Sequence, residues 1–238
     1  MTWSSNNVRY LNLLSVLRIN EDTHMWNADL DQSAFVIQCL SSLLSPGEKK
    51  RSERFGFDKD RNRFVVRHGL LRVLLSHYLG IKPDQIRFSY GQNGKPALPE
   101  MLNSNDIRFS LSYSRGFCLF AITRCREIGV DIEFCGRLLD CDRIINNFFS
   151  EKEKCFFYCL NKKQRENAFF KLWTKKEALI KALGIGLSLP LNSFDVSLLD
   201  HEIVALPSVE GLPEKETKWE VNVLNTHQEY LASWAVEV

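Results

Sequence analysis

Two stretches of the chain repeat apolar residues at helical spacing, and each of them ends at a glycine. The pattern predicts amphipathic helices over residues 63–79 and 169–183, closed by Gly80 and Gly184. Glycine readily takes the left-handed conformation that ends many helices. The two stretches can be laid over each other at a constant offset, and strand-like sequence follows each of them. This weak repeat predicts two related lobes.

Alternation of apolar and polar residues predicts strands in several places, with a hairpin around residues 114–116. The alternating stretches are 86–90, 107–113, 194–196, 219–221 and 234–236, and residues 117–123 form a fuller apolar run that also predicts a strand. Pro207 and Pro213 are expected to mark loops between the last of them. We place the lobe boundary so that residues 1–125 form the first lobe and residues 126–238 the second.

Composition narrows the class of protein. A chain of 238 residues with 45% hydrophobic residues can bury a substantial core, as one large domain or two small lobes. Its net charge of +2 gives no overall field that would commit it to nucleic acid or to a membrane. The absence of a signal-like start and of a long apolar run predicts a soluble, cytoplasmic protein.

The cysteines and histidines give little sign of a metal finger or a hydrolase. The seven cysteines are an odd number without a C-x-x-C pair, so we expect reduced thiols. Cys155 and Cys159 could share a helix face and offer half a zinc site, but no second pair with the required spacing follows. The chain also has no G-x-S-x-G motif and no Walker loop.

Two acids stand inside an apolar, β-branched run at residues 128–133. In a strand, their spacing points Asp131 and Glu133 to one face, while Val130 and Ile132 point to the other. Two neighbouring carboxylates repel each other unless a cation lies between them, and Mg²⁺ takes oxygen ligands of this kind. The alternative is an edge strand with two solvated acids.

A local basic patch lies earlier in the chain. Residues 49–72 contain nine Lys and Arg against three acids, interleaved with phenylalanines. The patch is either a solvated helix face or a cradle for phosphate, with Arg51 and Arg63 as candidates. Lys95 lies at the tip of a predicted turn and is either a further phosphate contact or simply solvated.

The second long helix places an acid on its apolar arc. Glu177 falls among the apolar positions and therefore needs a partner, which Lys181 can provide one turn later. Lys176 also falls in this arc, and we expect its long side chain to reach solvent. The alternative is an ordinary surface pair between Glu177 and Lys181. Before this helix, Ser150 and Glu153 have the spacing of a capping box.

Together, these residues predict a site for a substrate with several phosphates. Asp131, Glu133 and Glu177 would give three oxygen ligands on a strand and a helix, with Lys181 beside them. Two chemistries use such a set. One is metal-dependent cleavage of nucleic acid, and the other is transfer of a phosphoryl-linked group from a nucleotide-like donor.

A family resemblance favours the second chemistry. The stretches IGVDIE, FFSEKE and KLWTKKEALIKALGIGLSLPLNSF, preceded by NGKPALP and FSLSYS, resemble the 4'-phosphopantetheinyl transferases of the larger, surfactin-synthetase-activating type. The similarity runs in the same order over residues 45–197. It implies a pseudo-symmetric α/β (α+β) fold of two lobes, each a small antiparallel sheet packed with helices. It also implies magnesium-dependent transfer of the phosphopantetheine arm of coenzyme A to a serine of an acyl or peptidyl carrier protein, with release of 3',5'-ADP.

The resemblance assigns roles to individual residues. The implied metal ligands are Asp131, Glu133 and Glu177, for Mg²⁺ or Mn²⁺, with Glu177 also in the catalytic set. Glu153 resembles the base for the carrier serine, and Lys181 resembles the group that contacts the pyrophosphate. The positions that match coenzyme A contacts are Arg51, Arg63, Lys95, Ser112 and Tyr113.

One position departs from the family pattern. Tyr113 stands where a phosphate-contacting histidine is usual, so we expect coenzyme A to bind without that positive charge. A surface with Phe156, Phe157 and Leu160 either docks the carrier or belongs to the core. We expect a monomer. An inactive module that only binds a carrier is a further hypothesis, and the intact set of acids with Lys181 argues against it.

Overall fold

Two long helices of equal length determine the architecture. They are Asp58–Leu79 (α4) and Lys162–Leu183 (α7), each of 22 residues. The computed structural model describes residues 8–91, 93–136, 141–206, 217–226 and 229–238. Gly80 ends α4 with φ of 68° and Gly184 ends α7 with φ of 70°. Both glycines therefore take the left-handed conformation that the sequence predicted.

Shorter helices accompany the two long ones. In the described residues they are Val8–Leu11 (α1), Ala34–Ser42 (α2), Pro46–Ser52 (α3), Cys141–Phe148 (α5) and Glu151–Cys159 (α6). Ser45 caps α3 and Ser150 caps α6, each through a capping box with the glutamate three residues later. No helix in this part of the chain has the length and apolarity needed to cross a lipid bilayer.

Among the described residues, each lobe contains one four-stranded antiparallel sheet. The strands are Ser15–Arg18 (β1), His24–Asp29 (β2), Ser89–Tyr90 (β3), Pro96–Ala97 (β4), Ile107–Ser114 (β5), Phe117–Arg124 (β6), Ile128–Phe134 (β7), His201–Leu206 (β8), Thr217–Leu224 (β9) and Tyr230–Glu237 (β10). The order is β1-β2-β6-β5 in the first sheet and β7-β10-β9-β8 in the second, while β3 and β4 form a small ribbon. The α/β (α+β) class with two lobes is confirmed. The exact boundary at residue 125 stays a prediction.

The described residues form three groups of buried apolar side chains, one within each lobe and one between the lobes. One surrounds α4 in the first lobe and one surrounds α7 in the second. The third contains residues of both sheets, among them Met25 and Leu119 from the first and Val130 and Trp234 from the second. Since this third core spans both sheets, the two lobes pack into one body.

Serine hydroxyls join the two sheets where no strand pairing exists. Three alternate serines of β5 accept hydrogen bonds from main-chain N–H groups of β7: Ser110 from Val130 at 3.2 Å, Ser112 from Ile132 at 3.4 Å and Ser114 from Phe134 at 3.1 Å. Alternate residues of a strand share one face, so one strand can present all three hydroxyls to its neighbour. We call this set the serine ladder.

A glycine lets α7 lie directly on β7. A Cβ atom at Gly129 would lie 2.0 Å from the carbonyl oxygen of Ala178 and 2.3 Å from the nitrogen of Ala182. Only a residue without a side chain permits this approach. The contact sets the side chains of α7 beside the acidic face of β7.

Several local predictions were wrong. Residues 194–196 form no strand, because they follow a 3-10 turn at Leu191–Ser193 whose main chain is held by a buried lysine described below. In residues 86–90 only the last two are in a strand. The predictions also missed β1, β2 and β8. Pro207 and Pro213 lie outside the described residues.

Candidate active site

A cleft of about 780 Å³ lies between the lobes. All three predicted metal ligands line it: Asp131 and Glu133 from β7 and Glu177 from α7. Four further predicted site residues also line it, namely Arg51, Ser112, Tyr113 and Lys181. The cleft therefore brings together acids and cations from distant parts of the chain.

Asp131 is the most constrained acid of the cleft. Its Oδ1 atom accepts hydrogen bonds from Lys181 Nζ at 2.6 Å and from Ser112 Oγ at 2.8 Å. Lys181 therefore pairs with Asp131 and not with Glu177, the partner predicted from the helix alone. The other oxygen, Oδ2, is buried without a hydrogen-bond partner. A buried carboxylate oxygen without a partner is costly, so a cationic ligand would be stabilised there.

The pKa values of Glu133 and Glu177 are both raised, by burial and by the charge of Asp131. Burial and the neighbouring Asp131 raise the pKa of Glu133, although Ser114 donates a hydrogen bond to it at 2.9 Å. Burial, followed by the charge of Asp131, likewise raises the pKa of Glu177. No described residue donates a hydrogen bond to Glu177. The three carboxylates are thus close enough to repel one another.

The acids suit a hard divalent ion by type and position. Within the described ranges, no three His, Cys, Asp or Glu side chains are already gathered closely enough to hold a metal. The acids nevertheless share one cleft, and the free Oδ2 of Asp131 is an oxygen of the kind that Mg²⁺ binds. The residues present therefore fit such an ion without forming a closed ligand shell.

Ser112 and Tyr113 form the wall that β5 gives to the cleft. The Ser112 hydroxyl also accepts a hydrogen bond from Lys181 Nζ at 2.8 Å, so it links the two charged groups. Tyr113 is half exposed, and the guanidinium carbon of Arg67 lies 3.5 Å from its ring centre. Arg51, on α3, also lines the cleft, and its guanidinium carbon lies 5.6 Å from the ring centre of Phe64.

Arg63 is not among the residues that line the cleft. Its Nε and Nη2 atoms donate to the two oxygens of Asp31, both at 2.6 Å. This bidentate pair lowers the pKa of Asp31 and raises the pKa of Arg63. The guanidinium predicted to hold a phosphate is therefore already occupied.

Lys95 lies beside the cleft in a neighbouring cavity of about 340 Å³, which Glu177 and Lys181 also line. Its Nζ atom donates to the carbonyl oxygen of Ala182 and to Glu127 Oε2, both at 2.8 Å. The ammonium thus binds a carbonyl near the C-terminal end of α7, where a helix favours positive charge. Its contacts link the two lobes.

Glu153 is buried outside the cleft lining. Its Oε2 atom accepts from the N–H of Ser150 and pairs with Lys176 Nζ, both at 2.9 Å, and its Oε1 atom accepts from the N–H of Val196 at 2.8 Å. These contacts explain Glu153 as a structural residue and give no support to the predicted base. The expectation that Lys176 reaches solvent was wrong, since it is 0% exposed and also donates to the carbonyls of Leu191 and Phe194.

The predicted docking surface on α6 is smaller than expected. Phe156 is 51% exposed, whereas Phe157 is fully buried. Leu160 is only partly buried and packs against the core of the second lobe. Phe157 is therefore a core residue and not part of a docking surface.

Comparison with known proteins gives the family. The profile of the 4'-phosphopantetheinyl transferase superfamily matches residues 127–235, and that of the N-terminal part of 4'-phosphopantetheinyl transferases matches residues 24–124. The chain is 34% identical over 184 residues to the 4'-phosphopantetheinyl transferase HetI of Nostoc sp.. The matched region covers 77% of this chain and 77% of HetI. The chain belongs to the 4'-phosphopantetheinyl transferase superfamily.

Other relatives agree with this assignment. The 4'-phosphopantetheinyl transferase Sfp of Bacillus subtilis is 33% identical over 157 residues, covering 66% of this chain and 67% of that protein. The L-aminoadipate-semialdehyde dehydrogenase-phosphopantetheinyl transferase of Mus musculus is 28% identical over 199 residues, covering 77% and 64%. Members of this transferase family use coenzyme A and act on carrier proteins.

Sequence reasoning missed two cations of this transferase's cleft. Arg67 lies in the basic patch, but nothing in the pattern separated it from its neighbours. Arg115 lies in the β5–β6 turn with its guanidinium carbon 3.4 Å from the ring centre of Phe134. A basic residue in a hairpin turn that follows a motif strand was the available signal.

Proposed function

We propose that the protein transfers 4'-phosphopantetheine from coenzyme A to a serine of an acyl or peptidyl carrier protein, with Mg²⁺, and releases 3',5'-ADP. One observation carries this proposal. Lys181, Ser112 and Asp131 form a connected hydrogen-bonded group in the interlobe cleft, and Glu133 and Glu177 face the same space. Acids and a cation arranged in this way suit a substrate with a diphosphate.

The charged groups of the cleft have distinct tasks in this proposal. Asp131, Glu133 and Glu177 would hold Mg²⁺ (or Mn²⁺), which when bound neutralises diphosphate charge. Lys181 donates to a diphosphate oxygen and stabilises the charge that develops on the leaving 3',5'-ADP. Ser112 fixes the position of the Lys181 ammonium. Arg51, Tyr113 and the neighbouring wall contact the rest of coenzyme A.

Glu177 is the proposed proton acceptor. The carrier serine oxygen forms a bond to the phosphorus that bears pantetheine, the bond from that phosphorus to 3',5'-ADP breaks, and the serine proton passes to a carboxylate. Asp131 and Glu133 already accept hydrogen bonds from the protein, whereas no described residue donates to Glu177. A carboxylate has two oxygens, so Glu177 can face the ion with one and the serine with the other.

The experiment is the intact mass of an apo carrier protein after incubation with the enzyme, coenzyme A and Mg²⁺. We expect a gain of one phosphopantetheine, and we expect Asp131→Asn to lose this activity. Asp31→Asn is the matched control, because Asp31 pairs with Arg63 outside the cleft. No gain with any apo carrier would contradict the proposal. Cleavage of nucleic acid in its place would support the nuclease, and carrier binding without transfer would support the inactive module.

The setting of the enzyme is also a proposal. We propose a cytoplasmic monomer. All seven cysteines are free, which supports a reducing compartment, and the low net charge of +2 supports a substrate recognised by local groups.

A further inference from the structure

A buried pair of hydroxyl groups joins α7 to β10. Thr174 of α7 and Ser233 of β10 are completely buried, and Thr174 Oγ1 lies 2.9 Å from Ser233 Oγ. Thr174 Oγ1 also lies 3.3 Å from the carbonyl oxygen of Lys171. A hydroxyl has one proton to donate, so both bonds exist together when Ser233 donates to Thr174 and Thr174 donates to Lys171. The pair is thus a directional contact, which apolar packing does not provide.

The hydroxyl pair lies between two of the proposed metal ligands. Ser233 is the partner of Asp131 in the pairing of β10 with β7, so their side chains leave the same face of the sheet. Thr174 precedes Glu177 by three residues, so these two are neighbours on the surface of α7. One hydrogen bond therefore connects the strand neighbour of Asp131 with the helix neighbour of Glu177.

Glu177 depends on the placement of α7 more than the other two acids do. Asp131 and Glu133 each accept a hydrogen bond from a serine of β5. In the described part of the chain no group donates to Glu177, so the position of the helix sets the position of this carboxylate. Lys181 also joins α7 to Asp131, but in the proposed reaction its ammonium binds the diphosphate. The hydroxyl pair, which does not line the cleft, is a contact of α7 that the substrate leaves in place.

We propose that Thr174 and Ser233 are positioning residues that hold Glu177 beside Asp131, so that both acids can bind one divalent ion. This inference rests on the proposed function. The hydroxyl pair touches neither the ion nor the substrate, and it acts through the placement of α7 on the second sheet. Loss of either hydroxyl therefore weakens binding of the ion.

The test is equilibrium binding of Mn²⁺ without coenzyme A, measured by electron paramagnetic resonance, in wild type, Thr174→Val and Ser233→Ala. Valine keeps the shape of threonine and lacks its hydroxyl. We expect both variants to bind Mn²⁺ roughly 3- to 10-fold more weakly, less than the roughly 10- to 100-fold typical of groups that hydrogen-bond a metal ligand directly. Thr174→Ser keeps the hydroxyl and should retain the affinity of wild type to within about twofold.

Thr123→Val is the matched control, because it breaks the same kind of pair in the first lobe. Thr123 of β6 and Thr23 are also completely buried, their Oγ1 atoms lie 3.3 Å apart, and neither lines the cleft. Thermal unfolding should show a lower Tm for Thr123→Val, as for Thr174→Val, while its Mn²⁺ affinity stays within about twofold of wild type. An equal loss of Mn²⁺ affinity in Thr123→Val would overturn the inference, and so would unchanged affinity in Thr174→Val and Ser233→Ala.

The two single variants differ in what they leave behind. Thr174→Val leaves the buried Ser233 hydroxyl without its acceptor, whereas Ser233→Ala leaves Thr174 its bond to the Lys171 carbonyl. Ser233→Ala is therefore the milder change, and it gives the same readout if Thr174→Val does not fold. The double variant should bind Mn²⁺ no more weakly than Thr174→Val, because both substitutions remove one contact. Losses that simply multiply would contradict a shared role of the two hydroxyls.

The Mg²⁺ dependence of carrier modification separates positioning from a general loss of structure. In Ser233→Ala, the Mg²⁺ concentration for half-maximal transfer should rise roughly 3- to 10-fold. The rate at saturating Mg²⁺ should stay within about twofold of wild type, because the ion then occupies its ligands again. A lower rate at saturating Mg²⁺ with the same half-maximal concentration would overturn the inference.

The two proposals fail in different ways. A wild-type protein that leaves every apo carrier unmodified contradicts the proposed transfer. A wild-type protein that modifies the carrier, together with one Mn²⁺ affinity shared by wild type, Thr174→Val and Ser233→Ala, contradicts only the role of the hydroxyl pair. A wild-type protein that modifies the carrier but binds no Mn²⁺ without coenzyme A also contradicts only that role.

Discussion

In the second lobe, a buried charged side chain holds a loop against α7. Lys176 is completely buried, and its ammonium joins α7 to the carboxylate of Glu153 and to two carbonyls of the following loop. Burial lowers the pKa of Lys176 and raises that of Glu153, while each partner's charge opposes the shift. Lys176, the residue next to Glu177, therefore holds this loop in place.

Lys176→Met should destabilise the fold by about 3–5 kcal/mol, because it leaves the buried Glu153 carboxylate without its cation. The measurement is the free energy of unfolding in urea. Adding Glu153→Gln to the variant should recover part of the loss. Lys171→Met, on the same helix, removes a pair with the exposed Asp200 and should change stability much less. Equal effects of the two lysine substitutions would contradict this account.

His68 makes stability depend on pH. Burial lowers its pKa from 6.5 to about 4 in the folded protein, so the unfolded chain binds a proton first as pH falls. The contribution of neutral His68 to the free energy of unfolding is fully present above pH 6.5. It decreases as the pH falls from 6.5 towards 4, and it is lost below pH 4. The loss should be of order 1–3 kcal/mol. His68→Phe keeps a ring on Phe64, so its unfolding free energy should fall less over this window; parallel curves would contradict the assignment.

Some site residues could be predicted from the sequence, and others could not. Asp131 and Glu133 follow from strand spacing, so their common face needed no knowledge of distant residues. Arg63 and Lys95 were assigned to phosphate, but their side chains bind partners from other elements. Long basic side chains take partners that only the tertiary structure supplies.

Among the elements, the packing of α7 on β7 determines the geometry of the cleft. Gly129→Ala places a Cβ within 2.0 Å of a main-chain oxygen of α7, so the helix has to move. We expect a loss of about 1–3 kcal/mol or more and reduced transfer activity. Unfolding in urea and the carrier mass assay measure the two effects.

Gly47→Ala in α3 is the matched control, because nothing lies within 4 Å of its added Cβ. This variant should keep the activity of wild type, and its free energy of unfolding should differ from that of wild type by less than about 0.5 kcal/mol. If Gly129→Ala behaved like Gly47→Ala, α7 would not depend on this contact.

The elements that sequence predicted best have strong local signals. Both long helices combine a helical apolar pattern with a terminal glycine, and α6 begins with a capping box. The missed strands β1 and β8 are short edge strands, and they depend on pairing with β2 and β9. Pairing with a distant strand cannot be predicted from the local spacing of apolar and polar residues.

At the scale of the whole molecule, the serine ladder joins the lobes. Ser110 is buried, and its hydroxyl is an acceptor for the N–H of Val130. Ser110→Ala should cost about 1–3 kcal/mol and speed hydrogen exchange at the Val130 amide, because that buried donor loses its partner. Ser42→Ala, at an exposed serine of α2, should change stability by less than about 0.5 kcal/mol. Unchanged exchange at Val130 would contradict a role for the ladder.

The most direct measurement of the central claim is the affinity for coenzyme A as Mg²⁺ is added, in wild type, Asp131→Asn and the control Asp31→Asn. If the acids of β7 and α7 share one ion that holds the diphosphate, saturating Mg²⁺ should tighten binding to wild type and Asp31→Asn roughly tenfold or more. It should change binding to Asp131→Asn by less than about twofold. A wild-type affinity that is the same with and without Mg²⁺ would contradict the account.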